Sequence, residues 1–305
     1  MTTSLGPAIY VGPKHVPVLE QAVREGGGHL VPLADAEGIV YYGSDEAGEI
    51  VGMLHPEVRW VQLPHAGVER WTGNSIIDDD RLWTSAAGAY AGQVAEHALA
   101  LMLLAARGLH TLARVDHWTP KVTRPLAGST VALVGAGGIA RALADQLAPL
   151  QCRLLAVSDS GPFPNATRTV VRADYREVLP GSDYVVISAP STPATHGMIG
   201  ATELGLMKKD AWLVNVARGE LVVTDDLVAA LREESIGGAA LDVTDPEPLP
   251  TGHPLWSLPN AIITPHAANP EGAYWATLAE RVRENVRRLA SGEPLLGRVD
   301  PHQGF

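Results

Sequence analysis

The stretch from Val131 to Ala140 leaves this chain few folds to choose from. Val131-Ala132-Leu133-Val134 is an aliphatic run that ends abruptly in Gly135-Ala136-Gly137-Gly138-Ile139-Ala140, after which Ile139, Leu143 and Leu147 recur at a helical interval. The pattern predicts a strand, a tight turn and a helix, the opening of a dinucleotide site. Gly135 permits a turn that a side chain would obstruct, and Gly137 lets the main chain approach a pyrophosphate. The helix that follows from Gly138 and Ile139 aims free N–H groups at the phosphates. Ala140 fills the third position of the motif and is small enough for the helix to pack closely on its strand.

A second strand-like run, 153–157, ends in Ser158-Asp159-Ser160. Asp159 stands where a carboxylate accepts hydrogen bonds from the ribose 2′-hydroxyl and repels a 2′-phosphate. No arginine follows it directly, so NAD (NADH) is the expected cofactor in preference to NADP.

Strands and helices alternate on either side of this unit. Strands are expected over 8–11, 39–42 and 60–63 with a helix over 16–23, forming a small α/β unit of their own. A long apolar helix over 91–109 leads through the Pro- and Gly-bearing segment 119–128 into the glycine loop. Further strands are expected over 183–188, 211–216, 238–243 and 261–263 with a helix over 225–232, an alternation that means a parallel doubly wound sheet. The amphipathic helix 272–290, with Leu278, Val282, Val286 and Leu289 on one face, is expected to return to the first unit.

Composition excludes several classes. The 305 residues are 46% hydrophobic, enough for two real cores. The longest apolar segment, 94–106, carries Glu96 and His97 and is shorter than a membrane span. The start, Met1-Thr2-Thr3-Ser4, lacks a cationic signal region, so a cytoplasmic protein with no membrane partner is expected. A net charge of −11 argues against a nucleic-acid surface. The single cysteine, Cys152, has no ligand partners at metal spacing, and no metal site is expected; it reads as a small buried hydrophobe.

In an open α/β sheet, ligands sit beyond the carboxyl ends of strands, so polar residues directly after strand runs are the candidates for chemistry. Asn215-Val216-Ala217-Arg218-Gly219 puts an arginine there, Asp242 to Glu247-Pro248-Leu249 puts acids there, and Thr264-Pro265-His266-Ala267-Ala268 puts a histidine there. Arg218 can grip a carboxylate with two parallel hydrogen bonds. Glu247 beside His266 would keep the imidazole a usable general acid. The turn Pro64-His65-Ala66-Gly67 reads equally as a plain strand ending or as a nest whose amides at Ala66 and Gly67 hold a carboxylate.

Taken together, the glycine loop, Ala189-Pro190-Ser191-Thr192-Pro193-Ala194-Thr195, Asn215 to Gly219, Asp242 to Leu249 and Thr264-Pro265-His266 resemble the D-isomer-specific 2-hydroxyacid dehydrogenase family. The resemblance covers nearly the whole chain, including Val94-Ala95-Glu96-His97 and the segment 285–295. It implies an α/β protein of two Rossmann-like domains, each a doubly wound parallel sheet. One is a flavodoxin-like substrate (catalytic) domain from 1–90 and 270–305; the other is an NAD-binding Rossmann domain over 91–269. It implies catalytic roles for Arg218, Glu247 and His266, and cofactor contacts at Gly135, Gly137, Gly138, Ile139, Asp159, Ala189, Pro190, Thr195, Val216, Ala217, Asp242 and Ala268. Substrate contacts fall on His65, Ala66, Gly67, Arg218 and His266, with Tyr41, Tyr42 and Trp275 around the substrate side chain. A homodimer with its seam in 91–119 is also implied. Three departures from the family pattern, Ala140, Ser191 and Thr244, touch cofactor and pocket packing rather than the reaction.

The expected reaction is hydride exchange between NAD(H) and a D-2-hydroxy acid / 2-keto acid pair, with His266 handling the proton. Two alternatives remain open. Formate oxidation needs no proton relay and is disfavoured by Glu247. An NAD(H)-sensing binding protein of the same fold would act by contacting a partner.

Overall fold

The computed structural model describes residues 6–44, 46–118, 120 and 123–302. The start Met1-Thr2-Thr3-Ser4 and, within 119–128, Thr119, Lys121 and Val122 lie outside the described residues. The chain divides into two compact units, Met1–Tyr90 with Pro270–Phe305, and Ala91–Asn269.

The first unit runs β1 (Ala8–Pro13), α1 (Pro17–Glu25), β2 (His29–Leu30), β3 (Gly38–Tyr42), β4 (Trp60–Gln62), α2 (Glu69–Thr72) and β5 (Leu82–Thr84). Its five parallel strands lie in the order β2-β1-β3-β4-β5, the flavodoxin-like arrangement. Ile9, Ile39, Val40, Trp60 and Val61 are sealed from solvent, as aliphatic and aromatic strands covered on both faces must be.

The second unit opens with α3 (Ala91–Arg107) and a short α4 (Leu109–Leu112). The helix expected over 91–109 is broken at Gly108, which takes the left-handed conformation at φ 57°. Then follow β6 (Thr130–Val134), α5 (Gly138–Leu147), β7 (Arg153–Val157), β8 (Arg168–Val170), β9 (Tyr184–Ile187), α6 (Ala201–Leu206), β10 (Trp212–Asn215), α7 (Thr224–Arg232), β11 (Gly238–Leu241) and β12 (Ala261–Ile263). Their parallel sheet has the order β12-β11-β10-β9-β6-β7-β8, so the strand order reverses between β6 and β9. Ala95, Ala98, Leu101, Met102 and Ala105 form one buried face of α3, which packs on the Ala140, Leu143, Ala144 and Leu147 face of α5. Truncating Leu143 or Leu147, both without exposed surface, would cost roughly 2–5 kcal/mol.

The last helix, α8 (Glu271–Ser291), belongs to the first unit, where it packs on α1 through Leu278, Val282 and Val286. Between those apolar residues it buries Asn285, whose amide donates to Gln62 Oε1 at 2.8 Å and to the carbonyl of Leu296 at 3.0 Å, and whose oxygen accepts the Leu296 N–H. Gln62 Oε1 also accepts from the Thr84 hydroxyl, which in turn accepts the Trp60 indole N–H. Every link of this buried chain is partnered, the condition under which polar groups can sit in a core.

Three short strands, β2 (His29-Leu30), β5 (Leu82-Trp83-Thr84) and β8 (Arg168-Thr169-Val170), carry no uninterrupted aliphatic run and are not marked in the sequence. Cys152 is half-buried rather than fully buried; its thiol reaches the Leu126 carbonyl, and burial raises its pKa.

Candidate active site

The glycine loop is built by proximity of two strand ends. β6 and β9 are neighbours, so the turn after Val134 meets Ser188 and Ala189, and a β-carbon on Gly135 would come within 2.7 Å of the Ala189 nitrogen. Gly135 also holds φ at 118°, which side chains rarely adopt. Gly137 is different: a β-carbon there would meet nothing within 4 Å, leaving open space over the N-terminus of α5, where Gly138 and Ile139 begin the helix. That open, backbone-lined space fits a pyrophosphate. The adjoining turn after β9 is stapled by Thr195, whose buried hydroxyl donates to Pro190 O at 2.7 Å and accepts the Thr192 N–H at 2.9 Å.

Asp159 follows β7 and is exposed. Pairing of β7 with β8 brings it to Arg172: the Arg172 backbone N–H donates to Asp159 Oδ1 at 2.7 Å, and the guanidinium Nε lies 3.3 Å from Oδ2. This arginine lies thirteen positions beyond Asp159, too far along the chain for adjacency in sequence to mark it.

The three strand-end candidates follow β10, β11 and β12, which lie side by side, and two of them, Glu247 and His266, meet. Arg218 leaves β10 on a turn tied by Asn215, whose fully buried amide donates to Arg218 O at 2.8 Å and accepts the Ala217 N–H at 3.0 Å. Val216 and Ala217 are buried in that turn. Arg218 Nη1 donates to Ala217 O at 2.7 Å.

Asp242, 2% exposed after β11, organises the next loop. Its Oδ1 accepts from the Thr264 hydroxyl at 2.5 Å and the Ala267 N–H at 2.8 Å, its Oδ2 accepts the Ala268 N–H at 3.1 Å, and its main-chain carbonyl accepts the His266 N–H at 2.8 Å. His97 on α3 brings Nε2 to 3.2 Å from Oδ1 and 2.9 Å from the Thr264 hydroxyl. Burial opposes ionisation of Asp242, but the hydrogen bonds from His97, Thr264, Ala267 and Ala268 outweigh it and hold the carboxyl below its ordinary range. This loop fixes His266 at φ 52°, a left-handed conformation, with Nδ1 at 2.7 Å from Glu247 Oε1. A carboxylate partner makes Nδ1 the donor, which leaves Nε2 to carry the exchangeable proton.

Asn215, His97 and Thr264 are the supporting residues that sequence reasoning did not assign. Asn215 and Thr264 stand at strand ends, where a polar side chain invites attention, whereas His97 is one of a few polar residues in a mostly apolar helix.

His65, Ala66 and Gly67 lie in the first unit, in the bend after β4. The His65 ring faces Tyr274 at 6.3 Å, Tyr274 stacks on Tyr90 at 5.5 Å, and Tyr42 meets Trp275 at 4.9 Å. Tyr41 departs from expectation: it is 2% exposed, packs edge-on to Trp71, and donates its hydroxyl to Glu49 at 2.7 Å, so it belongs to the core. Alternation along a strand sends neighbouring Tyr41 and Tyr42 to opposite faces.

The sequence model described as D-isomer specific 2-hydroxyacid dehydrogenase, NAD binding domain, matches residues 99–268. The chain belongs to the D-isomer specific 2-hydroxyacid dehydrogenase family. By that membership it is an oxidoreductase of 2-hydroxy acids that uses a nicotinamide dinucleotide. It is 39% identical over 294 residues, 93% of its length and 95% of the relative's, to an uncharacterized protein in the proB 3′ region of Corynebacterium melassecola. It is 35% identical over 173 residues to a human glyoxylate reductase/hydroxypyruvate reductase, a match spanning 56% of this chain and 52% of that enzyme. Among solved structures, the D-isomer specific 2-hydroxyacid dehydrogenase of Xanthobacter autotrophicus Py2, in complex with NADPH and MES, superposes with a TM-score of 0.85 at 27% identity, covering 99% of this chain and 100% of that one.

Proposed function

We propose that the chain interconverts a 2-keto acid and the matching D-2-hydroxy acid with NAD(H), using Arg218, Glu247 and His266. One observation carries the reading: His266 Nδ1 lies 2.7 Å from Glu247 Oε1 on the loops after adjacent strands, with Arg218 at the end of the next. A bound nicotinamide dinucleotide supplies the hydride in reduction and takes it up in oxidation.

The protein's own groups do the remaining work. Arg218 presents a planar fork that binds the substrate carboxylate and polarises the neighbouring carbonyl. Glu247 holds the imidazole by Nδ1, so that protonated His266 gives its Nε2 proton to the carbonyl oxygen in reduction, and neutral His266 removes it in oxidation. Asp242 Oδ2 accepts from Ala268 and has a second lone pair, and we assign it the nicotinamide amide. Gly135, Gly137, Gly138, Ile139, Ala189, Pro190, Thr195, Val216, Ala217 and Ala268 are assigned to the walls of the cofactor site, Asp159 to the ribose, and His65, Ala66 and Gly67 to substrate.

We further infer that the protein is cytoplasmic and that it forms a homodimer, the latter supported by the run of exposed apolar side chains Leu103, Leu109, Val115 and Trp118 on and after α3. Relatives named for glyoxylate and hydroxypyruvate make small 2-keto acids the first substrates to try. The test is NADH oxidation by the purified protein against 2-keto acids from glyoxylate to branched and aromatic ones, with His266→Ala alongside. Turnover on a panel member, lost in the variant, supports the proposal; a His266→Ala enzyme as fast as wild type overturns it.

A further inference from the structure

The turn Pro64-His65-Ala66-Gly67 is held from the segment that follows β5. The Ala86 N–H donates to the His65 carbonyl at 2.9 Å, and the Tyr90 hydroxyl donates to the Pro64 carbonyl at 3.2 Å. Both peptide bonds of the turn that these contacts touch are trans, and a trans peptide is planar, with its C=O and the N–H of the next residue pointing in opposite directions. Holding the Pro64 carbonyl therefore aims the His65 N–H away from Tyr90. Holding the His65 carbonyl aims the Ala66 N–H away from Ala86. Successive amides turned to one side in this way make an anion-binding concavity.

Tyr90 is built to stay a donor. It is 6% exposed, its ring stacks on Tyr274 at 5.5 Å, and burial pushes its hydroxyl pKa well above the ordinary value. The segment it belongs to is clamped in turn from α8. Arg281 donates from Nη1 to the Ser85 carbonyl at 2.8 Å and from Nη2 to the Ala87 carbonyl at 2.9 Å, on either side of Ala86. No carboxylate among the described residues pairs with Arg281, and burial draws its pKa below the ordinary value. A guanidinium drawn out of water without a counter-ion must spend its N–H groups on other acceptors, and here the two are carbonyls of one segment. Gly297, at φ 66°, makes room for this clamp: a β-carbon there would come within 2.3 Å of both Arg281 Nη1 and the Ser85 carbonyl oxygen.

We propose that Tyr90 and Arg281 are positioning residues for the substrate carboxylate, Tyr90 by holding the Pro64 carbonyl and Arg281 by holding the segment 85–87, so that the His65 and Ala66 amides face the incoming anion. The proposal rests on the assignment of this turn to substrate and adds the side chains that shape it. Both act through the main chain rather than by touching the keto acid.

Equilibrium binding of oxamate, a 2-keto acid mimic that carries the carboxylate, to the full chain saturated with NADH tests it without turnover. Tyr90→Phe keeps the ring and removes only the hydroxyl; it is expected to weaken oxamate binding by about five- to tenfold while NADH affinity stays within about twofold of wild type. Arg281→Met is expected to weaken oxamate by about tenfold or more, and Arg281→Lys, which keeps the charge but not the fork, to fall between it and wild type. Oxamate affinity in Tyr90→Phe within about twofold of wild type, or a loss matched by an equal loss of NADH affinity, overturns the positioning role and leaves the assignment of the turn standing. A wild-type chain that binds no oxamate overturns that assignment, and the proposal with it. Thermal unfolding is read alongside: variants that melt lower yet bind oxamate as wild type does mark the two residues as structural only, which also overturns the proposal.

Discussion

Gly219 lies directly against the main chain of Thr244: a β-carbon at position 219 would come within 2.0 Å of the Thr244 carbonyl. The residue after Arg218 and the loop that leads to Glu247 are therefore in contact, backbone to backbone, with no flexible side chain between them to yield. Gly219→Ala must push the two loops apart. The expected result is a fall in kcat/KM of about a hundredfold with a stability loss of about 1–3 kcal/mol. Steady-state kinetics beside urea unfolding check it; full activity in this variant would mean that the two loops need not be in register.

Glu247→Gln keeps a hydrogen-bonding group next to His266 Nδ1 but removes the charge. The reductive kcat is expected to drop by about 10²-fold or more, with a smaller change in KM. Steady-state kinetics in the reductive direction check it, and a Glu247→Gln enzyme with the wild-type kcat would separate Glu247 from the proton relay.

Acid stability should follow the buried carboxylates of the second unit. Asp242 and Asp183 are both held below their ordinary 3.8. Burial works against each, and the donors around Asp242, or the Thr130 N–H and Lys208 beside Asp183, prevail. Glu203 is likewise held below 4.5 against burial by the Gly200 N–H and Arg176. A carboxyl with a lower pKa in the folded state binds fewer protons than in the unfolded chain. Its contribution is thus complete above the ordinary value and disappears as pH falls through the folded one. Melting temperature against pH should be flat near neutrality and drop below about pH 4. Asp242→Asn should melt lower than wild type at pH 7, and the gap should narrow in acid; a constant gap at every pH would contradict the ionic account.

Asn285→Leu tests the buried network of the first unit. It removes one of the two donors to Gln62 Oε1, leaving the Thr84 hydroxyl, and it removes the side-chain partner of the Leu296 N–H and carbonyl. A loss of roughly 2–4 kcal/mol in chemical denaturation is expected. A variant as stable as wild type would show that the apolar gain offsets the lost bonds.

The parallel sheets were legible because their strands are aliphatic, buried on both faces and followed abruptly by turn residues, as Val131–Val134 before Gly135 and Leu213–Asn215 before Val216 show. Arg218, Glu247 and His266 could be picked out for the same reason: each is polar just past such a run. The partners that hold them were less legible. His97 reaches Asp242 from a helix far away in sequence, and nothing in an apolar helical period marks one histidine as facing a carboxylate. Arg172 meets Asp159 only because β8 pairs with β7, and Arg168-Thr169-Val170, with a single aliphatic residue, does not announce a strand. Tyr41 and Tyr42 looked alike as letters, and only the pleat of β3 sends one to the core and leaves the other partly open.

The hydrogen bond between Asn285 and Gln62 spans 223 positions of the chain. During synthesis the continuous stretch Ala91–Asn269 has emerged whole before α8 exists, while the first ninety residues wait with the Gln62 carbonyl unanswered by Asn285. The earlier-made unit is thus completed by α8, and it stays unfinished until the whole of the later-made unit has emerged.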